Sequence, residues 1–263
     1  MNPNDPLMSF LAAWLGQAVM YFVAASVLFL VVWRWGKERL RGARIAQKER
    51  FDRSQWLHEV GWTLGTLLVG GITTVGLQAS GKVQLVGSGE GWGPLSSIAF
   101  VLGLLALNDV WFYGVHRLLH TRWLYRHIHA IHHRSVDVNP FSSYAFHPLE
   151  AFLLSAWIFP LALLVPMPAP ALAVAQVLGL ANNLVSHLGY ELYPRAWVRW
   201  PMFRWTTSAT YHSLHHQRFH GNYGLLTRVW DRAFGTELPG YEDTFVTRGE
   251  AYSGTLPASI TER

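Results

Sequence analysis

The chain places eight of its 13 histidines in three clusters with helical spacing: His116 and His120; His129, His132 and His133; and His212, His215 and His216. Residues three or four positions apart on an α-helix share a face, so their imidazole nitrogens can converge on one point. Neutral imidazole is the commonest protein ligand for metal ions. Eight imidazoles exceed what one tetrahedral zinc ion uses, so the clusters predict two metal ions in a shared site. A nitrogen-rich set without thiolates suits iron or zinc.

Composition indicates that these histidines belong to a membrane protein. Hydrophobic residues make up 51% of the chain and charged residues 14%, against roughly 25% charged residues in an ordinary soluble domain. The aromatic content excludes a disordered chain. The absence of Cys excludes disulfide scaffolds, thiolate zinc fingers and iron–sulfur clusters. The net charge of +5 does not indicate nucleic-acid binding, because many basic residues lie in one block directly after an apolar run, as beside a membrane helix.

Apolar runs predict the elements that position the clusters. A membrane span needs about 20 apolar residues, and three runs qualify: 10–33, 60–80 and 95–115. Two shorter runs, 150–165 and 171–190, are joined by a proline-rich turn and predict a short hairpin in the membrane. We therefore expect an all-α, polytopic membrane bundle of about three spans plus this hairpin, with a cytosolic helical cap that carries the dimetal histidine site.

Loop charges predict the orientation of this multi-pass bundle. The segment 34–53 has eight Lys or Arg against three Asp or Glu, whereas 1–9 has one Asp and no Lys or Arg. The positive-inside rule places 34–53 in the cytoplasm. Alternating the spans from that point brings His116 and His187 to the cytoplasmic ends of their segments. The histidine site is thus predicted at the cytoplasmic face.

Several ordered motifs accompany the clusters: Asn108-Asp109 with Tyr113 and Arg117, the segment Ala145-Phe146-His147-Pro148-Leu149-Glu150, Asn222-Tyr223-Gly224, and 230–236. Together they resemble the fatty acid hydroxylase/sterol desaturase superfamily of integral-membrane, non-haem diiron oxidases. The resemblance covers 108–236. We interpret 1–263 as a single integral-membrane domain, with N-terminal spans at 1–107, a catalytic region at 108–236 and a C-terminal tail at 237–263.

The resemblance implies that the eight clustered histidines are metal ligands and that a further histidine, which His187 fits, joins them. It implies two iron ions, O2 as cosubstrate, and hydroxylation or desaturation of an unactivated C–H bond in a fatty acyl, sterol-like or related lipid. The chain has no Gly-x-Gly-x-x-Gly fingerprint and no Cys. The electrons are therefore expected from a separate donor, such as a cytochrome b5-like protein, a ferredoxin or a reductase.

Five further residues are candidates for metal ligation or for hydrogen bonds to the ligands: Asp109, His147, Glu150, Glu191 and Asp231. Metal-bound histidines usually donate their second N–H to a carboxylate or a carbonyl. Asp109 has an alternative partner in Arg117. Glu191 stands where some fatty acid hydroxylases of the family have another histidine, which argues against a fatty acyl 2-hydroxylase. The remaining histidines, His58, His127 and His220, lack the motif spacing and are expected to be structural or surface residues.

Two other functions stay open at this stage. A dizinc site would support hydrolysis or isomerisation without O2, and imidazole ligands do not decide between iron and zinc. A metal transporter would place its ligands along a path through the spans. The predicted clustering at one surface disfavours transport.

Overall fold

Among the described residues of the computed structural model, four helices are long and apolar enough to cross a membrane: Pro6–Trp35, Arg53–Ala79, Pro94–Leu119 and Ala169–Ser186. The structure describes residues 5–47, 52–87 and 92–248. Large apolar side chains such as Leu15, Ile72 and Leu102 are exposed on these helices, as expected where lipid is the solvent. The prediction of a helical membrane bundle is confirmed.

The long helices begin at residues that favour helix initiation. The first consists of α1 (Pro6–Leu28) and a π-helical end (Phe29–Trp35), and Asp5 accepts a hydrogen bond from the backbone N–H of Leu7. The second, α2 (Arg53–Ala79), has Asp52 as its N-cap. The third, α3 (Pro94–Leu119), begins at a proline, whose missing N–H costs nothing in the first turn.

The predicted hairpin has two unlike arms. Its first arm is divided between α6 (Pro148–Ser155) and α7 (Ile158–Leu164). The division falls just before Pro160, which cannot donate a hydrogen bond to the carbonyl four residues earlier. The second arm, α8 (Ala169–Ser186), is one continuous helix. The hairpin therefore contains a fourth candidate span in addition to the three predicted ones.

Short pairings fix which ends of the helices lie together. At one end, β1 (Leu85–Val86) pairs in parallel with β2 (Met167–Pro168), which joins the loop after α2 to the turn before α8. At the other end, the backbone N–H of Ala46 donates to the carbonyl of Gly189. Gly189 has φ +73° and a Cβ there would lie 2.6 Å from the Trp33 ring, so only glycine fits. The loop after α1 therefore packs against the end of α8.

Shorter elements form a cap at this second end. They are α4 (Arg122–Leu124), a π-helix (Tyr125–His129), α5 (Ala130–His133), a 3₁₀ helix (Pro140–Tyr144), α9 (Ala209–Arg218), α10 (Val229–Ala233) and α11 (Tyr241–Thr247). A small core of Val198, Tyr211, Tyr241 and Phe245 holds α9 and α11 together. The described part of the basic segment and all the predicted histidine ligands lie at this end of the bundle.

Candidate metal centre

The nine predicted histidine ligands converge in two groups. The five-histidine group consists of His116, His120, His129, His133 and His215, and the four-histidine group of His132, His187, His212 and His216. Within each group, one ring nitrogen from every member lies within 4.8 Å of those of the others. Every member is buried except His120, which is partly exposed.

The two triplets divide their histidines between the groups in opposite ways. His129 and His133 enter the five-histidine group, while His132 enters the four-histidine group. In the second triplet the members four residues apart enter the four-histidine group, and His215 enters the other. Helix geometry requires such a division, because adjacent residues point about 100° apart whereas residues four apart differ by about 40°. Each triplet therefore contributes to two neighbouring points.

The separations between ring nitrogens fit metal ligation. The Nε2 atom of His133 lies 3.1 Å from that of His129 and 3.3 Å from that of His120. In the other group, the Nε2 atom of His212 lies 3.1 Å from that of His187 and 3.0 Å from that of His216. Metal–nitrogen bonds of about 2.0–2.1 Å place neighbouring ligand atoms roughly 3.0–3.4 Å apart. The histidines present thus fit two metal ions.

Backbone carbonyls orient several of these rings. The Nδ1–H groups of His116 and His215 donate to the carbonyls of Tyr223 and Gly221, at 2.9 and 2.7 Å. A proton on Nδ1 leaves Nε2 with a lone pair for a metal. The Nε2 atom of His215 is buried and has no hydrogen-bond partner among the described residues. Such a nitrogen can donate its lone pair to a bound metal ion.

Glu150 is the carboxylate in direct contact with a predicted ligand. It lies in the first turn of α6, is fully buried, and has Oε1 2.6 Å from the Nδ1 atom of His129. Burial raises the pKa of the Glu150 carboxyl and lowers that of the His129 imidazole, so the pair is neutral in the metal-free protein. A bound cation would favour the ionised carboxylate and strengthen its hydrogen bond to His129.

Burial keeps the cap histidines neutral. Burial first, and then neighbouring histidines, lower the pKa of His120 to about 2 and that of His133 to about 3. Burial also lowers the pKa of His187 to about 4. The ordinary histidine pKa is about 6.5. These rings therefore keep their lone pairs available for metal at neutral pH.

Comparison with known proteins identifies the family. The model of the family described as fatty acid hydroxylase matches residues 101–236, more than half of the chain. The chain belongs to the fatty acid hydroxylase family. The superfamily resemblance inferred from the histidine motifs is confirmed.

Curated relatives extend the similarity beyond the matched region. A Delta(7)-sterol 5(6)-desaturase of Aspergillus fumigatus is 27% identical over 90% of this chain and 64% of its own length. Methylsterol monooxygenase 1 of Rattus norvegicus is 32% identical over 54% of this chain and 47% of its own. Lathosterol oxidase of the same organism is 29% identical over 84% of this chain and 72% of its own. The chain thus spans less than two thirds of the first two relatives. No solved structure shows a significant match to the chain.

Two buried carboxylates hold the loop that orients His116 and His215. Asp231 accepts hydrogen bonds from the backbone N–H groups of Tyr223 and Gly224, at 2.9 and 2.7 Å. Asp109, on α3, accepts from the N–H groups of Leu226 and Thr227, from the Thr227 hydroxyl and from the indole N–H of Trp230 in α10. Neither carboxylate contacts a histidine directly. Both act on this fatty acid hydroxylase family site through the backbone.

Three other sequence candidates lie outside both groups. His147 is the N-cap of α6, where its Nδ1 atom accepts from the N–H of Leu149, and its ring stacks on Trp62. Glu191 accepts from the N–H groups of Tyr193 and Thr210, at the start of α9. Arg117, proposed as a partner for Asp109, instead donates to the Tyr113 hydroxyl.

The three histidines that lack the motif spacing also lie outside the two groups. His58 has its Nε2 atom 2.9 Å from the carbonyl of Ile131, between α2 and the second cluster. His127 and His220 are exposed on the cap. The structure therefore gathers the nine predicted ligands and leaves the other four histidines out.

Sequence reasoning missed Glu59, one turn and a half into α2. This residue is fully buried, and its carboxylate accepts hydrogen bonds from Ser135 and Asn139, which follow the second cluster. It therefore anchors the loop after His133. The sequence could have indicated this residue, because a carboxylate in a membrane helix is energetically costly unless it has a partner.

A small cavity adjoins both groups on the side of the membrane helices. Its walls include Phe112 of α3, Phe146, and Asn183 and Ser186 of α8. Two aromatic residues near these walls in the sequence have structural contacts instead. Tyr113 bonds to Thr236, and Tyr144 stacks on Tyr21.

Proposed function

We propose that this protein is a membrane-bound oxidase that uses O2 and two external electrons to hydroxylate or desaturate a C–H bond of a lipid. In this proposal, the five- and four-histidine groups each hold one iron ion. The observation that carries the proposal is the convergence of nine imidazoles on two neighbouring points at one end of apolar helices. Similarity to sterol desaturases and methylsterol monooxygenases supports the same chemistry.

The electron requirement follows from the balance of either reaction. Hydroxylation converts one C–H bond to C–OH and reduces the second oxygen atom of O2 to water, which consumes two electrons and two protons. Desaturation removes two hydrogen atoms from adjacent carbons and forms two waters from O2 with the same two electrons and two protons. A separate donor must supply the electrons, because the chain has no Cys for an iron–sulfur cluster and no dinucleotide fingerprint.

Bound iron supplies the redox chemistry that activates O2, and the chain's own residues control the surroundings. The carbonyls of Tyr223 and Gly221 hold His116 and His215 with Nε2 directed inward. Glu150 holds His129 in the same way. Burial of the groups limits the access of water, which protects a reactive centre from side reactions.

The apolar helices that end at the histidine groups support a lipid as substrate, because a hydrophobic molecule can reach the site from the bilayer. Phe112 and Phe146 line the small cavity beside the groups, at the ends of the helices α3 and α8. A sterol-like lipid is the first candidate, because the relatives are named for sterol reactions. The proposed orientation places the site at the cytoplasmic face, since the basic segment after α1 lies at the same end of the bundle.

Lipid mass spectrometry of cells under ¹⁸O2 tests the proposal. Cells that produce the protein are compared with cells that produce His215→Ala, which is expected to insert but not to oxidise. An ¹⁸O-labelled product found only with the unaltered protein identifies a hydroxylation and its substrate. An unlabelled alkene that requires O2 identifies a desaturation.

The same experiment without O2 addresses the other functions. Equal turnover under anaerobic conditions would refute the oxidase and favour dizinc hydrolysis or isomerisation. Metal analysis of the purified protein then identifies iron or zinc. Metal uptake into sealed vesicles without any lipid product would favour transport.

A further inference from the structure

Two segments that form the cap around the five-histidine group contain several arginines and no acidic residues. Residues 110–136 include four Arg and no Asp or Glu, and residues 192–230 include five Arg and no Asp or Glu. The acidic residues that follow the second segment do not offset this charge at the cap surface. Asp231 is buried, and Glu237 and Glu242 pair with Arg228 and Arg232. Within the part of the chain that the structure describes, the positive charge of this surface is therefore not neutralised by these carboxylates.

The two acid-free segments meet beside His120. Phe219 packs with its ring 6.4 Å from that of Tyr125 and 5.5 Å from that of His133. We call the exposed residues around this contact the arginine patch: Arg122, Trp123, Arg126, Arg218, Phe219 and His220. The patch thus combines positive charge with two exposed aromatic rings.

The patch lies beside the one partly exposed histidine of the two groups. His120 is the only member of either group that is not buried. The Tyr125 ring lies beside it, with its centroid 5.3 Å from that of His120 and 5.5 Å from that of His133. A molecule bound at the patch would be one aromatic side chain away from the five-histidine group.

We propose that the arginine patch is the docking surface for an acidic, one-electron carrier protein. This inference rests on the proposed oxidase function, which requires two electrons from outside the chain. Each docking event would oxidise the carrier by one electron and reduce the metal centre by one, so two events supply one turnover. Charge complementarity would steer the carrier to the patch, as in other transient redox pairs.

Charge reversal at the patch tests this docking. The full chain, loaded with iron, is placed in phosphatidylcholine nanodiscs, and binding of a cytochrome b5 haem domain and of a plant-type ferredoxin is measured. The double variant Arg122→Glu/Arg126→Glu is expected to raise Kd by about tenfold or more for the carrier that binds. Arg122→Lys/Arg126→Lys should stay within about threefold, because it keeps the charge. Added salt should weaken the unaltered pair and have less effect on the reversed one.

The matched control is Arg39→Glu/Arg41→Glu, on exposed residues of the loop after α1. It changes net charge equally and should leave Kd within about twofold. Equal effects of the two reversals, or no binding of either carrier to the unaltered protein, would overturn the proposal. An effect of the patch variant only in discs that contain phosphatidylserine would overturn it too, since it would assign the patch to lipid headgroups.

A chemical reductant separates this proposal from the function on which it rests. With dithionite in place of a carrier, the patch variant should form product at the unaltered rate. Product formation that is independent of patch charge with every reductant would refute docking and leave the oxidase intact. Carrier binding that follows patch charge, without product under any condition, would refute the oxidase and retain the docking surface.

Discussion

The five-histidine and four-histidine groups contain similar ligands but are supported differently. In the five-histidine group, His116, His129 and His215 each have an acceptor on Nδ1, from a loop carbonyl or from Glu150. In the four-histidine group, His187 has the carbonyl of Asn183. The Nδ1 atoms of His132 and His216 in that group are buried without a partner among the described residues, whereas in the five-histidine group this holds for the Nδ1 atom of His133.

This difference indicates two ways of building a metal site. Hydrogen bonds to Nδ1 fix the tautomer and the ring orientation before metal arrives, which pre-organises the five-histidine group. The four-histidine group relies on packing between the end of α8 and α9. We therefore expect the five-histidine group to bind metal more tightly, and to depend on residues far from it in sequence.

Loss of a ligand should give the largest effect and test whether the groups are separate sites. His215→Ala removes a ligand from one group and His132→Ala from the other. Each is expected to reduce bound metal from about two ions to about one. Activity should fall by more than about 100-fold, which exceeds the effect of losing a residue that only hydrogen-bonds to a ligand. Metal analysis and product assays measure both. His127→Ala, at an exposed histidine outside both groups, is the control, and two ions bound to either ligand variant would contradict the separation.

Glu150→Ala should have the next largest effect, restricted to the five-histidine group. Its loss leaves the buried Nδ1–H of His129 without an acceptor and is expected to weaken metal affinity of that group about 10- to 100-fold. Chelator competition with the cobalt-substituted protein measures the two affinities separately. Glu150→Gln keeps a hydrogen-bond acceptor and should lose less. Equal weakening of both groups would argue against a local role.

Asp231→Ala should act on the same group through the backbone. It leaves the buried N–H groups of Tyr223 and Gly224 unsatisfied, at a cost of roughly 1–3 kcal/mol in unfolding free energy. We expect a lower thermal midpoint in detergent and weaker metal binding in the five-histidine group. Asp243→Ala, on the exposed side of α11, is the matched control and should change neither. An unchanged affinity would show that the loop does not position the ligands.

Lowering the pH should have the smallest effect per residue of the changes considered. It lowers the stability of the folded protein through histidines of both groups. The pKa values of His133 and His187 are about 3 and about 4 in the folded, metal-free protein, against about 6.5 in an unfolded chain. Below pH 6.5 the unfolded chain therefore binds more protons, and stability falls as pH falls, by up to about 1.4 kcal/mol per pH unit for each histidine. Thermal midpoints of the metal-free protein between pH 8 and 5 test this slope. A flat profile would mean that these histidines are not buried as neutral rings.

Most of the candidate metal site could be predicted from local patterns in the sequence. The clusters predict convergence because residues four apart share a helix face, and the same geometry requires each triplet to serve two points. His187 could be predicted as a ligand only from the family resemblance, since a lone histidine at the end of an apolar run has no informative spacing. Asp109 and Asp231 were recognised as candidates, but the expected direct contact with a histidine was replaced by hydrogen bonds to a loop. That outcome depends on a chain reversal near Gly221 that spacing does not encode.

The sequence by itself determined the membrane class, the three long spans, the nine histidines that come together and the family. The membrane class, the spans and the eight clustered histidines follow from composition, apolar run length and helical periodicity, which are local, whereas His187 and the family were inferred from the resemblance of the ordered motifs. Only the tertiary structure decided how the histidines divide five to four, which carbonyls and which carboxylate orient them, and that His120 alone reaches the surface. Those features arise where segments about a hundred residues apart, such as α3 and the loop near Tyr223, pack together. No pattern within either segment specifies the hydrogen bond that joins them.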